Sequence, residues 1–290
     1  MVMRLCWHGT LVRGPDRPPF AERLRLAREF GFSAIEVGLR EVEAHLAAHP
    51  GLTAQRLWAD AGLQPAMVGG VVTAAPFASD ADWEKSLAGL RERAQAAAAI
   101  GARVTGTWMQ NRSALPTAEA RALVRRRFTE VADALAPAGL SFAVEFIGVR
   151  TLWPELPHPF IRTHADCLAL FDETGRANLG LLLDTYHSHA AETPLEEIAR
   201  TPRSRILYLH INDAKPLPPA EVLDGDRLVP GEGVIDLAGW LRAVAATGYD
   251  GAIAPEVLGP RLQGLTTAQA AVACRDGILA ALRSAGVSVQ

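Results

Sequence analysis

The chain has 290 residues, 49% of them apolar, and a formal net charge of −3. That is ample material for one large core. No Lys/Arg cluster is dense enough to track a phosphate backbone, so nucleic acid and anionic membrane are excluded as expected partners. Arg125-Arg126-Arg127 falls in an alanine-rich helical segment and reads as a solvated helix face. No apolar run approaches the length of a membrane span, and Met1 to Thr10, which contains His8 and no long apolar core, is not expected to be a secretory signal. Cys6, Cys167 and Cys274 lie far apart without a C-x-x-C pair, which suits a reducing compartment and gives them no metal role. A cytoplasmic protein is expected, in which the sequon Asn111-Arg-Ser113 carries no meaning.

Taken in order, Arg4 to His8 reads as a short strand and Phe20 to Phe30 as an amphipathic helix stopped by Gly31. Ser33 to Val37 is a second strand, and residues 41 to 62 have helical periodicity broken at Pro50-Gly51. Pro65 to Val72 is a third strand. Trp83 to Ile100 is expected to be one long helix closed by Gly101. Arg103 to Trp108 is a fourth strand, and Thr117 to Ala136 a helix with Thr117 as its N-cap. Further helices are expected near His164 to Asp172, Pro194 to Arg200, Leu237 to Thr247 and Thr267 to Ser284.

Between them lie four apolar runs of one grammar. Leu140-Ser-Phe-Ala-Val-Glu145, Gly180-Leu-Leu-Leu-Asp184, Ile206-Leu-Tyr-Leu-His210 and Gly251-Ala-Ile-Ala-Pro-Glu256 each end in a side chain that can bind a metal. Short runs of this kind suit strands buried on both faces. Burying a carboxylate costs several kcal/mol without compensation, so a polar residue closing each run implies a purpose. Eight strand–helix alternations imply a single (β/α)8 TIM barrel over residues 1–290, with the four ends converging at the C-terminal face. Two long connections, Phe146 to Arg162 and Asn212 to Val234, lie on that same face.

A lone glutamate or histidine at a strand end is usually an ion-pair or capping residue. Four in register argue for a shared metal. Three carboxylates and one imidazole, Glu145, Asp184, His210 and Glu256, suit Mn²⁺ first, with Mg²⁺, Co²⁺ or Zn²⁺ as alternatives, rather than a closed structural zinc. A divalent ion chelated by a vicinal hydroxyl and carbonyl acidifies the neighbouring C–H, and a carboxylate ligand can take that proton. Enolisation of a hydroxyketone follows.

The second half of the chain resembles the xylose-isomerase-like barrels of the sugar phosphate isomerase/epimerase superfamily, nearest inosose isomerases and keto-sugar 3-epimerases. The resemblance is carried by Ala143-Val-Glu145-Phe-Ile-Gly148, Gly180 to Ala190, Leu209-His210-Ile-Asn-Asp213, Asp226-Arg227-Leu-Val-Pro-Gly231-Glu-Gly233 and Pro255-Glu256-Val-Leu. It implies proton transfer on a keto-sugar or inosose through a metal-bound enediolate. One divalent ion is held by the four residues named above, and Glu145 and Glu256 form the acid/base pair. His187 and Arg227 are then substrate contacts, Asp213 orients His210, and His8, Trp108, Trp7 and Glu36 are candidates to line the sugar pocket. Keto-sugar 3-epimerases usually carry a second glutamate six residues beyond the first ligand. Here that position is Thr151, which favours an inosose or modified keto-sugar. The resemblance also implies a homo-oligomer, a dimer or tetramer. Three rivals remain: elimination on 3-keto-glycosides, with a hetero-subunit as an option; an endonuclease IV-like nuclease, against which the negative charge counts; and a binding or structural protein that keeps the metal site without turnover.

Overall fold

The computed structural model describes residues 2–12 and 17–289. Eight parallel strands form the barrel: β1 (Val2–Trp7), β2 (Ala34–Gly38), β3 (Gln64–Gly69), β4 (Val104–Met109), β5 (Ser141–Phe146), β6 (Leu179–Asp184), β7 (Ile206–Ile211) and β8 (Ala252–Pro255). Ladders join them in the order β3-β2-β1-β8-β7-β6-β5-β4. Among the described residues no ladder closes β3 onto β4. The two are joined there by the Thr105 hydroxyl, which donates to the Val68 carbonyl at 2.8 Å.

Among the described residues eleven α-helices accompany the barrel: α1 (Phe20–Glu29), α2 (Leu39–Ala48), α3 (Ala54–Ala61), α4 (Asp80–Leu87), α5 (Leu90–Ala99), α6 (Thr117–Leu135), α7 (His164–Thr174), α8 (Thr185–Ala190), α9 (Leu195–Ala199), α10 (Leu237–Ala246) and α11 (Thr267–Ala285). Most of the buried apolar side chains belong to the layer between helices and strands. Trp7 is one of them: it packs edge-on against Phe32, away from any sugar pocket, which corrects its expected place.

Two helix expectations are also corrected. The stretch expected as one helix is two, α4 and α5, broken at Ala88-Gly89, where Gly89 adopts φ 68°. A left-handed residue interrupts the helical path, and only glycine takes that conformation without a steric cost. In α6 the cap position is Pro116, with no side-chain cap. Thr117 instead gives its hydroxyl to the Pro159 carbonyl at 3.0 Å. Thr266 and Gln269 form a capping box on α11, and Thr163 caps α7.

Period two decides what faces the barrel interior. Two residues before each polar strand end lies a smaller or apolar one: Cys6 before His8, Ala34 before Glu36, Ala143 before Glu145, Leu182 before Asp184, Tyr208 before His210 and Ala254 before Glu256. These inner residues pack together as one cluster. The polar ends form the layer above them, at the C-terminal mouth. Asn111, the expected sequon, is buried and donates to the Ile147 carbonyl at 3.0 Å, tying the start of the β4 loop to the start of the β5 loop.

Candidate metal centre at the C-terminal mouth

Glu145, Asp184 and His210 are buried and Glu256 nearly so, and one donor atom from each lies within 4.8 Å of the others. Adjacent ladders put them there: Asp184 is the register partner of His210, which is the partner of Ala254, two residues before Glu256. The carboxylates of Glu145 and Glu256 approach His210 Nδ1 at 3.2 and 3.3 Å. Three carboxylates this close repel one another unless cations compensate them. The donor set fits a divalent cation, since all four residues aim ligand atoms at one small volume.

Supporting contacts hold each donor. Asp184 caps α8, accepting from the His187 amide at 2.9 Å through Oδ1. Its Oδ2 accepts from Asn212 Nδ2 at 2.8 Å and from Arg227 at 3.3 Å. Asn212 also donates to the Glu256 carbonyl and is locked by the Thr185 hydroxyl. Neither Asn212 nor Thr185 was singled out from the sequence, although both flank named ligand motifs.

His210 Nε2 lies 3.2 Å from Glu36. This is where the structure corrects the expectation for Asp213. Both Asp213 oxygens accept backbone N–H groups, from Ala214, Gly231, Gly233 and Ile235, and shape the loop after β7. Gly233 has to be glycine here, because a Cβ would meet the Ala214 carbonyl at 2.1 Å. Glu36 is therefore the carboxylate that orients His210, leaving Nδ1 aimed at the shared volume, as partners of metal-binding histidines commonly do. His8 approaches Glu36 at 3.3 Å and Glu256 at 3.8 Å, and its Nδ1 is fixed by Thr10 at 2.9 Å.

Arg227 is buried, not a rim residue. Its guanidinium meets Glu256 at 2.6 Å, Asp224 at 2.7 Å and Asp184 at 3.3 Å, and it lies over the Tyr186 ring. Asp226 pairs with Lys215 instead. His187 is buried too, and its Nε2 is 3.2 Å from Arg227. Arginine can only donate, so Nε2 accepts and the imidazole braces the guanidinium. Trp108, at the end of β4, is 45% exposed and stacks on Trp153 at 5.7 Å. Thr151 contacts the Val222 carbonyl at 3.3 Å, while Glu155 is exposed.

The electrostatics separate the two glutamates. Burial, reinforced by Glu256, pushes the Glu145 carboxyl up to about 8. Burial opposes ionisation of Glu256 as well, yet His210 and Arg227 hold it well below the usual carboxylate range. Burial and Arg227 push His187 down to about 4, so it is neutral at ordinary pH.

A profile of the xylose isomerase-like TIM barrel family matches residues 24–276. The chain belongs to this family. Among xylose isomerase-like relatives, an inosose isomerase of Halalkalibacterium halodurans is 30% identical over 148 residues, 51% of this chain and 50% of that protein. A 3-dehydroshikimate dehydratase of Pseudomonas aeruginosa is 34% identical over 121 residues, 41% of this chain and 18% of that one. A ketose 3-epimerase of Arthrobacter globiformis is 25% identical over 146 residues, 50% and 43% of the two chains. The matched region spans about half the length of the inosose isomerase relatives or less. A xylose isomerase domain protein of Alicyclobacillus acidocaldarius superposes with a TM-score of 0.86 at 29% identity, covering 98% of this chain and all of that one. The IOLI protein with a zinc atom bound superposes with a TM-score of 0.80 at 20% identity, covering 97% and 98%. No helix among the described residues is long and apolar enough to cross a membrane.

Proposed function

We propose that the chain is a divalent-metal-dependent isomerase or epimerase of an unphosphorylated inosose or keto-sugar. One observation carries the reading: Glu145, Asp184, His210 and Glu256 each bring a ligand atom within 4.8 Å of the others, with two glutamates on opposite strands of that cluster. The two glutamates are the acid/base pair, one taking a proton from the carbon beside a carbonyl and the other returning one. Glu145, Asp184, His210 and Glu256 would hold the ion, which supplies polarisation of the carbonyl and acidity at the neighbouring carbon. Arg227, braced by His187 and Asp224, keeps Glu256 ionised and offers N–H donors beside the cluster. Trp108 and Trp153 give the opening an aromatic wall suited to a sugar face. Inosose isomerase and ketose 3-epimerase relatives support this reaction class.

The dehydratase relative favours a second reading. Elimination starts with the same proton removal and ends with loss of a β-hydroxyl or glycosidic oxygen. One experiment separates the two. The purified chain with Mn²⁺ in D₂O is incubated with inososes, keto-sugars and 3-keto-glycosides and followed by NMR. Deuterium entering beside the carbonyl with the carbon skeleton and substituents intact, abolished by EDTA, is the expected result. Release of water or aglycone moves the assignment to elimination, and no exchange on any substrate overturns both.

A further inference from the structure

The opposite, N-terminal mouth of the barrel holds a cavity of about 650 Å³. Barrel interiors are normally filled by layers of large branched side chains. Here the inner wall near the base is built from Ala34, Ala66 and Ala252, with Cys6, Ala143 and Ala254 in the same interior cluster, so the lower half is underfilled. Tyr208 lines the cavity, and its hydroxyl, 3.0 Å from Cys6 Sγ, stands between it and the polar layer above.

The charge of this cavity is one-sided. Arg4, Arg103 and Arg203 line it together with Gln55 and Gln64, and no carboxylate does. Arg203 is neutralised by Asp250 at 2.7 Å. Among the described residues no direct ion pair includes Arg4 or Arg103: Asp250 attracts Arg4 only from a distance, and the Arg103 side chain donates to the carbonyls of Ala98 and Ala102. Two guanidinium groups thus border a largely apolar volume of small-molecule size with no carboxylate among its described lining residues. Guanidinium forks pair with the planar or tetrahedral oxyanions of carboxylates and phosphates.

We propose that this cavity is a second ligand site, which takes a small organic oxyanion with an apolar body. Arg4 and Arg103 hold the anionic group, and the body packs on Pro65, Trp58 and the alanines. The site is separate from the metal centre and does not depend on the reaction proposed there.

Calorimetric titration of the full chain tests it, with metal stripped by EDTA and the chelator dialysed away so that no cation can ligate the probes. The probes are 1-naphthoate, 1-naphthyl phosphate, 1-naphthylmethanol and inorganic phosphate. The expected result is one naphthoate or naphthyl phosphate bound per chain, with the tighter of the two naming the oxyanion. Arg4→Gln and Arg103→Gln each weaken binding about tenfold and the double variant abolishes it. Ala66→Trp, which takes up part of the cavity and keeps both arginines, also weakens it, whereas Asp184→Asn leaves it unchanged. Failure of both anions to saturate at millimolar concentration overturns the proposal. So does undiminished binding to the folded double variant, or equal binding of the neutral alcohol.

Discussion

The two halves of the barrel carry unequal chemical burdens. Strands β5 to β8 each end in one of the four converging donors, Glu145, Asp184, His210 and Glu256. Strands β1 to β4 end in groups that act on those donors or border the opening: His8 and Glu36 contact His210 or Glu256, Trp108 stacks at the rim, and β3 stops at Gly69 with no polar end. The difference teaches that a barrel can confine its reactive groups to one half and use the other to aim them and set the size of the mouth. It also explains why the motifs that carry the resemblance read from the sequence lie in the second half. Metal donors tolerate few replacements, while pocket walls change with substrate.

This division predicts a graded series. Glu145→Gln and Glu256→Gln should each lower kcat by about 10² to 10⁴ without loss of fold, as expected for a removed acid or base. Single-turnover proton exchange measures it, and near-full turnover in either variant breaks the assignment. A stability effect in the second half comes next. His164 is fully buried, with Nε2 on the Thr201 hydroxyl, and burial pushes it down to about 4. Its ordinary value is about 6.5, so between those values the unfolded chain binds more protons than the folded one. Stability is then fully present above pH 6.5 and declines as pH falls through 4, by about 3 kcal/mol for this group. Urea unfolding at pH 7 and pH 4.5 should show a smaller loss in His164→Gln than in the parent chain, and an equal loss refutes the assignment.

The first half supplies the smaller effects. Glu36→Gln keeps the shape but loses the carboxylate that orients His210, and metal affinity should fall about 10- to 100-fold. Competition titration against a chromophoric chelator reads this directly, with Asp213→Asn as the contrast. That variant should loosen the loop after β7 and leave metal affinity within about threefold, because Asp213 touches only backbone amides of that loop. Trp108→Ala should raise KM about tenfold or less with kcat little changed, the pattern of lost uniform binding. A kcat loss as large as that of Glu145→Gln would erase the distinction between the halves.

Much of this was legible because a donor that interrupts an apolar run stands out at period two. The four ligand-type ends, the eight alternations and both long connections follow from that signal alone. What escaped is long-range. Asp213 lies three residues from His210 in sequence, and proximity favoured it, yet the orienting carboxylate comes from 174 residues earlier, across the sheet. Arg227 sits beside Asp226 in the chain, but its partners arrive from α8's cap, the end of β8 and Asp224. The helix break at Gly89 was hidden by strong helix formers on either side, Leu87-Ala88 before it and Leu90 to Ala94 after it, whose propensity favours one uninterrupted helix. The cavity at the base had no sequence signature, since it arises from small residues contributed by separate strands.

The missing ladder between β3 and β4 has a mechanical consequence. A cylinder slit along its length resists torsion far less than an intact one, because its two lips can slide past each other. In this barrel the lips are Gln64–Gly69 and Val104–Met109, with a single hydroxyl latch from Thr105 to Val68. Trp108 rides on one lip, while Glu36 stands on the strand behind the other. A small torsion would alter the gauge of the mouth on the Trp108 side and leave β5 to β8, each paired to the next by a ladder, as a rigid anvil. Amide exchange is expected to be faster on the facing edges of β3 and β4 than along β6, and faster still in Thr105→Val.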